Sequence, residues 1–358
     1  MTAGQVAGIA LALAAAWALT GVVRGYAVRA GMIDVPNDRS SHDRPTPRGG
    51  GLAIVLVTLT AVAIAGFAGW VHAPLTGALL IGGGLMAAVG WLDDRRRVAA
   101  GPRFAAHLAG STAAVVLLGG LPELKVGTAL VPLGWAGSVL AALSITWAVN
   151  FFNFMDGIDG LAGSQAVLVG LAAGGLLLWR GEGGLAFLTW VTAAASAGFL
   201  WWNWPPARIF MGDVGSGYLG FLLGTLALAS ERAAAVPALV WLVLVGLFFV
   251  DATATLIRRT LRRERWSVAH RAHAYQQALR LGWDHARVTR GAILVNAVLA
   301  ALATLAVAAP RWTLAVAIAA GAGLLLLFLW IVWRAERVME AAPMTPAPRT
   351  QNAQEPAP

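Results

Sequence analysis

The chain has 358 residues, 58% of them hydrophobic and 12% charged, with a mean hydropathy of +0.71, which excludes an ordinary soluble domain and indicates a polytopic membrane protein. It contains no cysteine, so disulfides and thiolate chemistry are excluded. The net charge of +9 is almost wholly arginine, Lys125 being the only lysine, and in so apolar a chain this points to loops facing anionic lipid and not to nucleic acid.

Eleven apolar runs read as spanning helices: 4–23, 50–70, 75–92, 104–121, 137–152, 161–178, 185–201, 214–229, 236–257, 291–308 and 311–332. The first lacks a charged leader and reads as a retained helix. The expected fold is therefore all-α, with about 10–11 transmembrane helices in one domain over residues 1–335. A disordered cytoplasmic tail is expected over 336–358, where Pro, Ala, Gln and Thr dominate from Ala341 onward.

Of the 26 basic residues, 22 fall in the loops 24–48, 93–103, 202–213 and 258–290 and in the tail. By the positive-inside rule that face is cytoplasmic, placing the N-terminus outside and the C-terminus inside. Fourteen of the 17 acidic residues lie on or lean toward the same face, so any chemistry is expected there.

The loop before the second run holds His42, Arg44 and Arg48 among prolines and glycines. It reads equally as a basic membrane-proximal turn and as a phosphate contact. Asp93 and Asp94 close the third run ahead of three arginines, which alone describes a charged span boundary.

The fifth run leads into Asn153-Phe154-Met155-Asp156-Gly157-Ile158-Asp159-Gly160. In a helical turn, Asp156 and Asp159 would share one face. Their mutual repulsion asks for a cation or cationic substrate between them. A charge at membrane depth costs about 2.5–3.5 kcal/mol, so a functional pair is favoured over a polar turn.

Asn203 follows two tryptophans that suit the membrane interface. Phe210-Met211-Gly212-Asp213 opens the eighth run, with Asp213 either a helix cap or a metal ligand beside a helix N-terminus that suits a diphosphate. Asp251, inside the ninth run, reads as one half of an ion pair with an arginine of a neighbouring helix. In the loop 258–290, Arg258, Arg259, Arg262 and Arg263 read as a lipid-surface patch. His270-Arg271-Ala272-His273 is less easily explained that way; two histidines alone are a weak zinc signal but can donate to phosphate oxygens.

Taken together, Asp93-Asp94, the Asn153–Asp159 block, Asn203 with Phe210–Asp213, and His270–His273 resemble the polyprenyl-phosphate N-acetylhexosamine-1-phosphate transferases, glycosyltransferase family 4. The likeness spans roughly residues 30–290. It implies transfer of a sugar-1-phosphate from a UDP-N-acetylhexosamine to undecaprenyl phosphate in a bacterial cytoplasmic (inner) membrane, with release of UMP. It also implies a requirement for Mg2+, for which Mn2+ can substitute. Asp213 would be a metal ligand, joined by Asp94, and Asp93 the base acting on the lipid phosphate. Asp156 and Asp159 would complete the acidic site, Asn153 and Asn203 would touch nucleotide or phosphate, and Phe210 would stack on uracil. His270, Arg271, His273 and Arg44 would contact substrate, and a homodimer is an allowed assembly.

The His-Arg-Ala-His pattern departs from the three consecutive histidines of the peptidoglycan branch, and Pro45-Thr46-Pro47-Arg48-Gly49-Gly50 is more like the branch that primes O-antigen and other surface polysaccharides. This favours UDP-GlcNAc, UDP-QuiNAc or UDP-FucNAc over the UDP-MurNAc-pentapeptide of the phospho-MurNAc-pentapeptide translocases. A transporter or flippase is the contrasting class. It would place charges near mid-membrane, whereas these aspartates gather at one interface.

Overall fold

The computed structural model describes residues 1–36, 41–96, 98–264 and 270–341. The chain is an all-α, multi-pass membrane protein, and each of the eleven expected runs is helical. They correspond to α1 (Ala3–Arg29), α2 (Leu52–Phe67), α3 (Ala73–Arg96), α4 (Ala100–Leu117), α5 (Gly134–Met155), α6 (Leu161–Trp179), α7 (Gly183–Asn203), α8 (Asp213–Arg232), the pair α9 (Ala238–Leu244) and α10 (Gly246–Leu261), and then α12 (His285–Ala308) and α13 (Thr313–Ala341). A short helix, α11 (Ala274–Arg280), lies in the last large loop.

Two small antiparallel hairpins were not expected. Ile33–Asp34 pairs with Thr46–Pro47, and Glu123–Val126 pairs with Ala129–Pro132. Helix α13 runs on through 336–341, residues assigned above to the tail; 342–358 lie outside the described residues.

Among the described residues, seven helices are long and apolar enough to cross a membrane, or eight if the bent α9–α10 pair is counted as one span. Helices α2, α4 and α8 fall outside that set, α2 because it has only 16 residues and α8 for a different reason. It is the centre of the bundle, packed between α3 and α5, with Tyr218, Leu219 and Phe221 fully buried. Small residues replace bulky apolar ones along it, because neighbouring backbones come so close. A Cβ on Gly220 would lie 2.2 Å from the carbonyl oxygen of Ala148. Close approach over small residues is how helices associate in a bilayer, where lipid supplies no hydrophobic drive. Its polar group Tyr218 is satisfied internally, with the hydroxyl 2.7 Å from Thr58 Oγ1.

The ninth run was expected as one span and is instead broken, α9 and α10 meeting at 81°. Hydropathy is continuous across the break, so composition gave no sign of it. The broken ladder is repaired from α6: Gln165 Nε2 donates to the Leu244 carbonyl at 3.3 Å, and Asn296 Nδ2 of α12 donates to Gln165 Oε1 at 2.6 Å. Backbone freed at membrane depth persists only where protein groups satisfy it in this way.

Candidate active site

The end of α3, the end of α5, the start of α8 and the start of α12 meet at one end of the bundle. Gly90 lets α3 close on α8, since a Cβ there would lie 2.5 Å from the Asp213 carbonyl oxygen. The left-handed Gly212 (φ 76°) faces the Asp94 carboxylate, which a Cβ would meet at 2.5 Å.

Asp94 is fully committed. Its Oδ1 accepts the Asp213 amide at 2.9 Å and its Oδ2 the Val214 amide at 3.1 Å, so it caps α8 from across the bundle. Arg48 donates to the same carboxylate, Nη2 at 2.5 Å and Nε at 3.1 Å. The structure thus gives Asp94, expected as a metal ligand, a positioning role that leaves its side chain with no exposed surface.

Asp93 and Asp213 face a common space. Arg103 Nη1 lies 2.5 Å from Asp93 Oδ2 and 3.1 Å from Asp213 Oδ2. Asp93 Oδ1 accepts the Val98 amide at 2.5 Å. Asp213 Oδ1 accepts from Asn153 Nδ2 at 2.9 Å, and the same nitrogen reaches Ser216 Oγ at 3.1 Å. Asn153 therefore orients Asp213. Half-buried Asp156 lies within the field of this group: burial, then the charges of Asp213, Asp94 and Asp159, pushes its carboxyl well above the usual carboxylate range.

Asp159 is held at the edge of the cluster. Its Oδ2 accepts the Ala207 amide at 2.9 Å, and its Oδ1 lies 3.2 Å from His285 Nδ1. His285 Nε2 in turn donates to the Ser41 carbonyl at 2.8 Å, tying the loop before α2 to the aspartate.

Asn203, expected to touch nucleotide or phosphate, is buried. Its Oδ1 accepts the Gly160 amide at 2.9 Å and its Nδ2 donates to the Ile209 carbonyl at 3.0 Å, so it splints two loops together. Phe210 is half-buried with its backbone pinned between Pro47 and Gly50; the centroid of its ring lies 4.8 Å from that of His42, edge on. Arg44 is exposed at the rim of this loop.

His273 is buried and fixed by Asp251, Nδ1 to Oδ1 at 3.0 Å. Asp251 also accepts the amides of Ala274 and Tyr275 at 3.1 and 3.3 Å. The partner of Asp251 is therefore the N-terminus of α11 and its histidine, and not the arginine of a neighbouring helix expected above. Tyr275 then fastens α11 to the end of α5, its hydroxyl donating to the Phe154 carbonyl at 3.0 Å. His270 is half-buried, with its ring centroid 5.0 Å from that of His273. Arg271 turns the other way, into an arginine-lined cavity that none of the five aspartates of the cluster lines.

Arg103 and His285 join the cluster with no local signal in the sequence. Arg103 was one more basic residue in a short loop, and His285 lay ahead of a late span; only the helical packing brings either to the aspartates. The cluster offers hard oxygen donors, with five carboxylates set against Arg48, Arg103 and His285. Among the described residues no three acidic or histidine groups form a ready cation cage. One or two carboxylates completed by water and phosphate oxygens is nonetheless the coordination Mg2+ prefers, so the residues fit that ion.

An apolar cavity of about 460 Å3 opens between α5, α8 and α9, lined by Leu140, Phe151, Leu223, Trp241 and Phe249. It reaches from Glu231 at the far end of α8 to Phe152, beside Asn153.

Residues 76–231 match the glycosyl transferase family 4 profile. The chain is 30% identical over 276 residues to the Bacillus subtilis (strain 168) protein named "Probable undecaprenyl-phosphate N-acetylglucosaminyl 1-phosphate transferase", covering 75% of each chain. It is 32% identical over 302 residues to the decaprenyl-phosphate N-acetylglucosaminephosphotransferase of Mycolicibacterium smegmatis, covering 75% of this chain and 73% of that one. A phospho-N-acetylmuramoyl-pentapeptide-transferase of Moorella thermoacetica is 34% identical over 160 residues, 44% of this chain and 48% of that one. The chain belongs to glycosyl transferase family 4 and is a transferase.

Proposed function

We propose that the protein transfers an N-acetylhexosamine-1-phosphate from a UDP-sugar to undecaprenyl phosphate, releasing UMP and forming undecaprenyl-diphospho-sugar. An oxygen of the lipid phosphate attacks the sugar-bearing phosphorus, and the bond to the UMP oxygen breaks. The observation that carries this reading is the meeting of Asp93 and Asp213 at one guanidinium nitrogen, at the end of a bundle whose apolar cavity extends as far as Phe152, one residue before Asn153.

In this reading Asp93 takes the proton of the lipid phosphate, and Asn153 keeps Asp213 turned toward the same space. Mg2+, held by Asp213 with water and donor phosphates, would screen the repulsion between two anionic reactants and stabilise charge on the leaving UMP. Phe210 presents a half-exposed ring for the uracil, and His270, beside the Asp251-fixed His273, donates to a phosphate oxygen. The groove between α5 and α9 receives the isoprenoid tail, keeping it in the bilayer while its phosphate meets the aspartates. The distribution of arginines supports an acidic site on the cytoplasmic face, with the N-terminus outside and the C-terminus inside.

The His270-Arg271-Ala272-His273 pattern and the longer coverage of the N-acetylglucosamine relatives support UDP-GlcNAc or a deoxy relative as donor, and priming of a surface polysaccharide as the role. Purified protein supplied with radiolabelled UDP-sugars should release UMP with these donors. Turnover of the pentapeptide donor alone would overturn the choice. EDTA should stop the reaction and Mg2+ restore it. Asp213→Asn should abolish transfer without preventing membrane insertion, and full activity in that variant would contradict the assigned site.

A further inference from the structure

We propose that the arginine-lined cavity between α10, α11 and α13 is an accessory binding site for the phosphate headgroup of an anionic membrane lipid. The cavity has a volume of about 270 Å3, and among the described residues Arg258, Arg259, Arg262, Arg271 and Arg280 line it together with two carboxylates, Glu264 and Glu336. Glu336 is shared between Arg258 and Arg262, the latter at 3.2 Å, while Glu264 pairs with Arg259 at 2.8 Å. Arg280 directs its guanidinium at neutral groups, Gln277 Oε1 at 3.2 Å and Met339 Sδ at 3.5 Å. With Arg259 and Arg271 set aside, Arg258, Arg262 and Arg280 still bring three positive charges against the one carboxylate of Glu336, around a space that α10, α11 and α13 share.

Two further features identify the occupant as a lipid. The cavity lies where α10 and α13 leave their apolar stretches, and basic pockets between spanning helices at that level are where anionic headgroups bind. Exposed apolar side chains adjoin its lining along the chain: Ile257 precedes Arg258, Leu261 precedes Arg262 and Met339 is itself in the lining, at 54%, 79% and 55% exposed, a surface on which acyl chains can lie while the phosphate enters. A soluble phosphate would have no use for that surface. The acceptor phosphate of the proposed reaction has to reach Asp93 and Asp213, and neither lines this cavity.

The site is also placed to matter. Arg271 sits between His270 and His273, and its carbonyl accepts from Gln277 Nε2 at 2.6 Å. A headgroup held by Arg271 on one side of this turn steadies the histidines on the other.

The test is binding, which does not depend on the reaction proposed above. Full-length protein is purified into phosphatidylcholine nanodiscs with and without phosphatidylglycerol, and retained lipid is counted by native mass spectrometry after detergent exchange. Wild type should retain phosphatidylglycerol. Arg262→Gln with Arg280→Gln, both at exposed positions, should bind it about 25-fold more weakly, at about fivefold per interfacial arginine. The charge-retaining pair Arg262→Lys and Arg280→Lys should keep most of the binding. Undiminished retention in the glutamine pair would overturn the assignment. Complete displacement of the lipid by inorganic phosphate at matched concentration would also overturn it, showing a soluble-anion site instead.

Discussion

The carboxylate of Asp94 accepts the backbone amide of Asp213 at 2.9 Å, so an acidic residue closing one helix fixes where another acidic residue opens the next. Two aspartates expected to share one duty divide it. Asp94 builds the frame, and Asp213 stands in the space that the frame defines.

Asp94→Ala should therefore act through geometry. It removes a helix cap, worth about 1–2 kcal/mol, and leaves Arg48 without its buried partner. Displacing Asp213 by even about 1 Å is expected to cost on the order of 100-fold in turnover. UMP release and thermal unfolding, measured together, should both fall. A variant that loses activity with unchanged stability would instead mark Asp94 as a direct participant.

Arg103 holds the place between Asp93 and Asp213 that a divalent cation would contest. Arg103→Gln removes one positive charge from beside two carboxylates. Mn2+ should then bind about tenfold more tightly, as read by electron paramagnetic resonance, while UMP release falls. Unchanged or weaker Mn2+ binding would show that the ion sits elsewhere.

Gln165→Leu should expose the α9–α10 break to its own cost. The Leu244 carbonyl loses its donor at membrane depth, and Asn296 loses its acceptor, for about 1–2 kcal/mol. Because α9 walls the apolar groove, the KM for the lipid acceptor should rise more than that for the UDP-sugar. Steady-state kinetics with each substrate varied in turn checks the split.

His270 sets a pH dependence. Burial, with the neighbouring His273 and Arg259, pushes its imidazole down to about 4. An unfolded histidine titrates near about 6.5, so between these values the unfolded chain binds more protons and stability rises with pH. Stability should thus fall as pH drops from about 6.5 toward 4. Melting temperatures of His270→Gln across that window should show a shallower slope than wild type; identical slopes would reject the assignment.

The sequence already carried the helices and the gathering of Asp93, Asp156, Asp159 and Asp213, because apolar runs set the spans and the aspartates sit at their ends on one face. It could not show what each side chain does once there. In the motifs Asn203 reads as a substrate contact and Asp94 as a metal ligand, and only the packed loops reveal that backbone groups occupy them. Arg103 and His285 carry no local signal, since each becomes meaningful through a partner on another helix. The α9–α10 break is silent for a different reason: the residues that allow it, Gln165 and Asn296, lie on other spans.

The enclosure of α8 bears on how the protein is made. By length and composition this segment falls outside the helices that can cross a membrane, yet it lies at the heart of the finished bundle. Its main neighbours α3 and α5 both precede it in the chain, so during synthesis most of the cradle exists before the guest arrives, and α9 follows. The helix that begins with Asp213 thus meets earlier helices already made, and a chain lacking α3 is expected to insert α8 less completely, as glycosylation mapping of the loop after Arg232 would show.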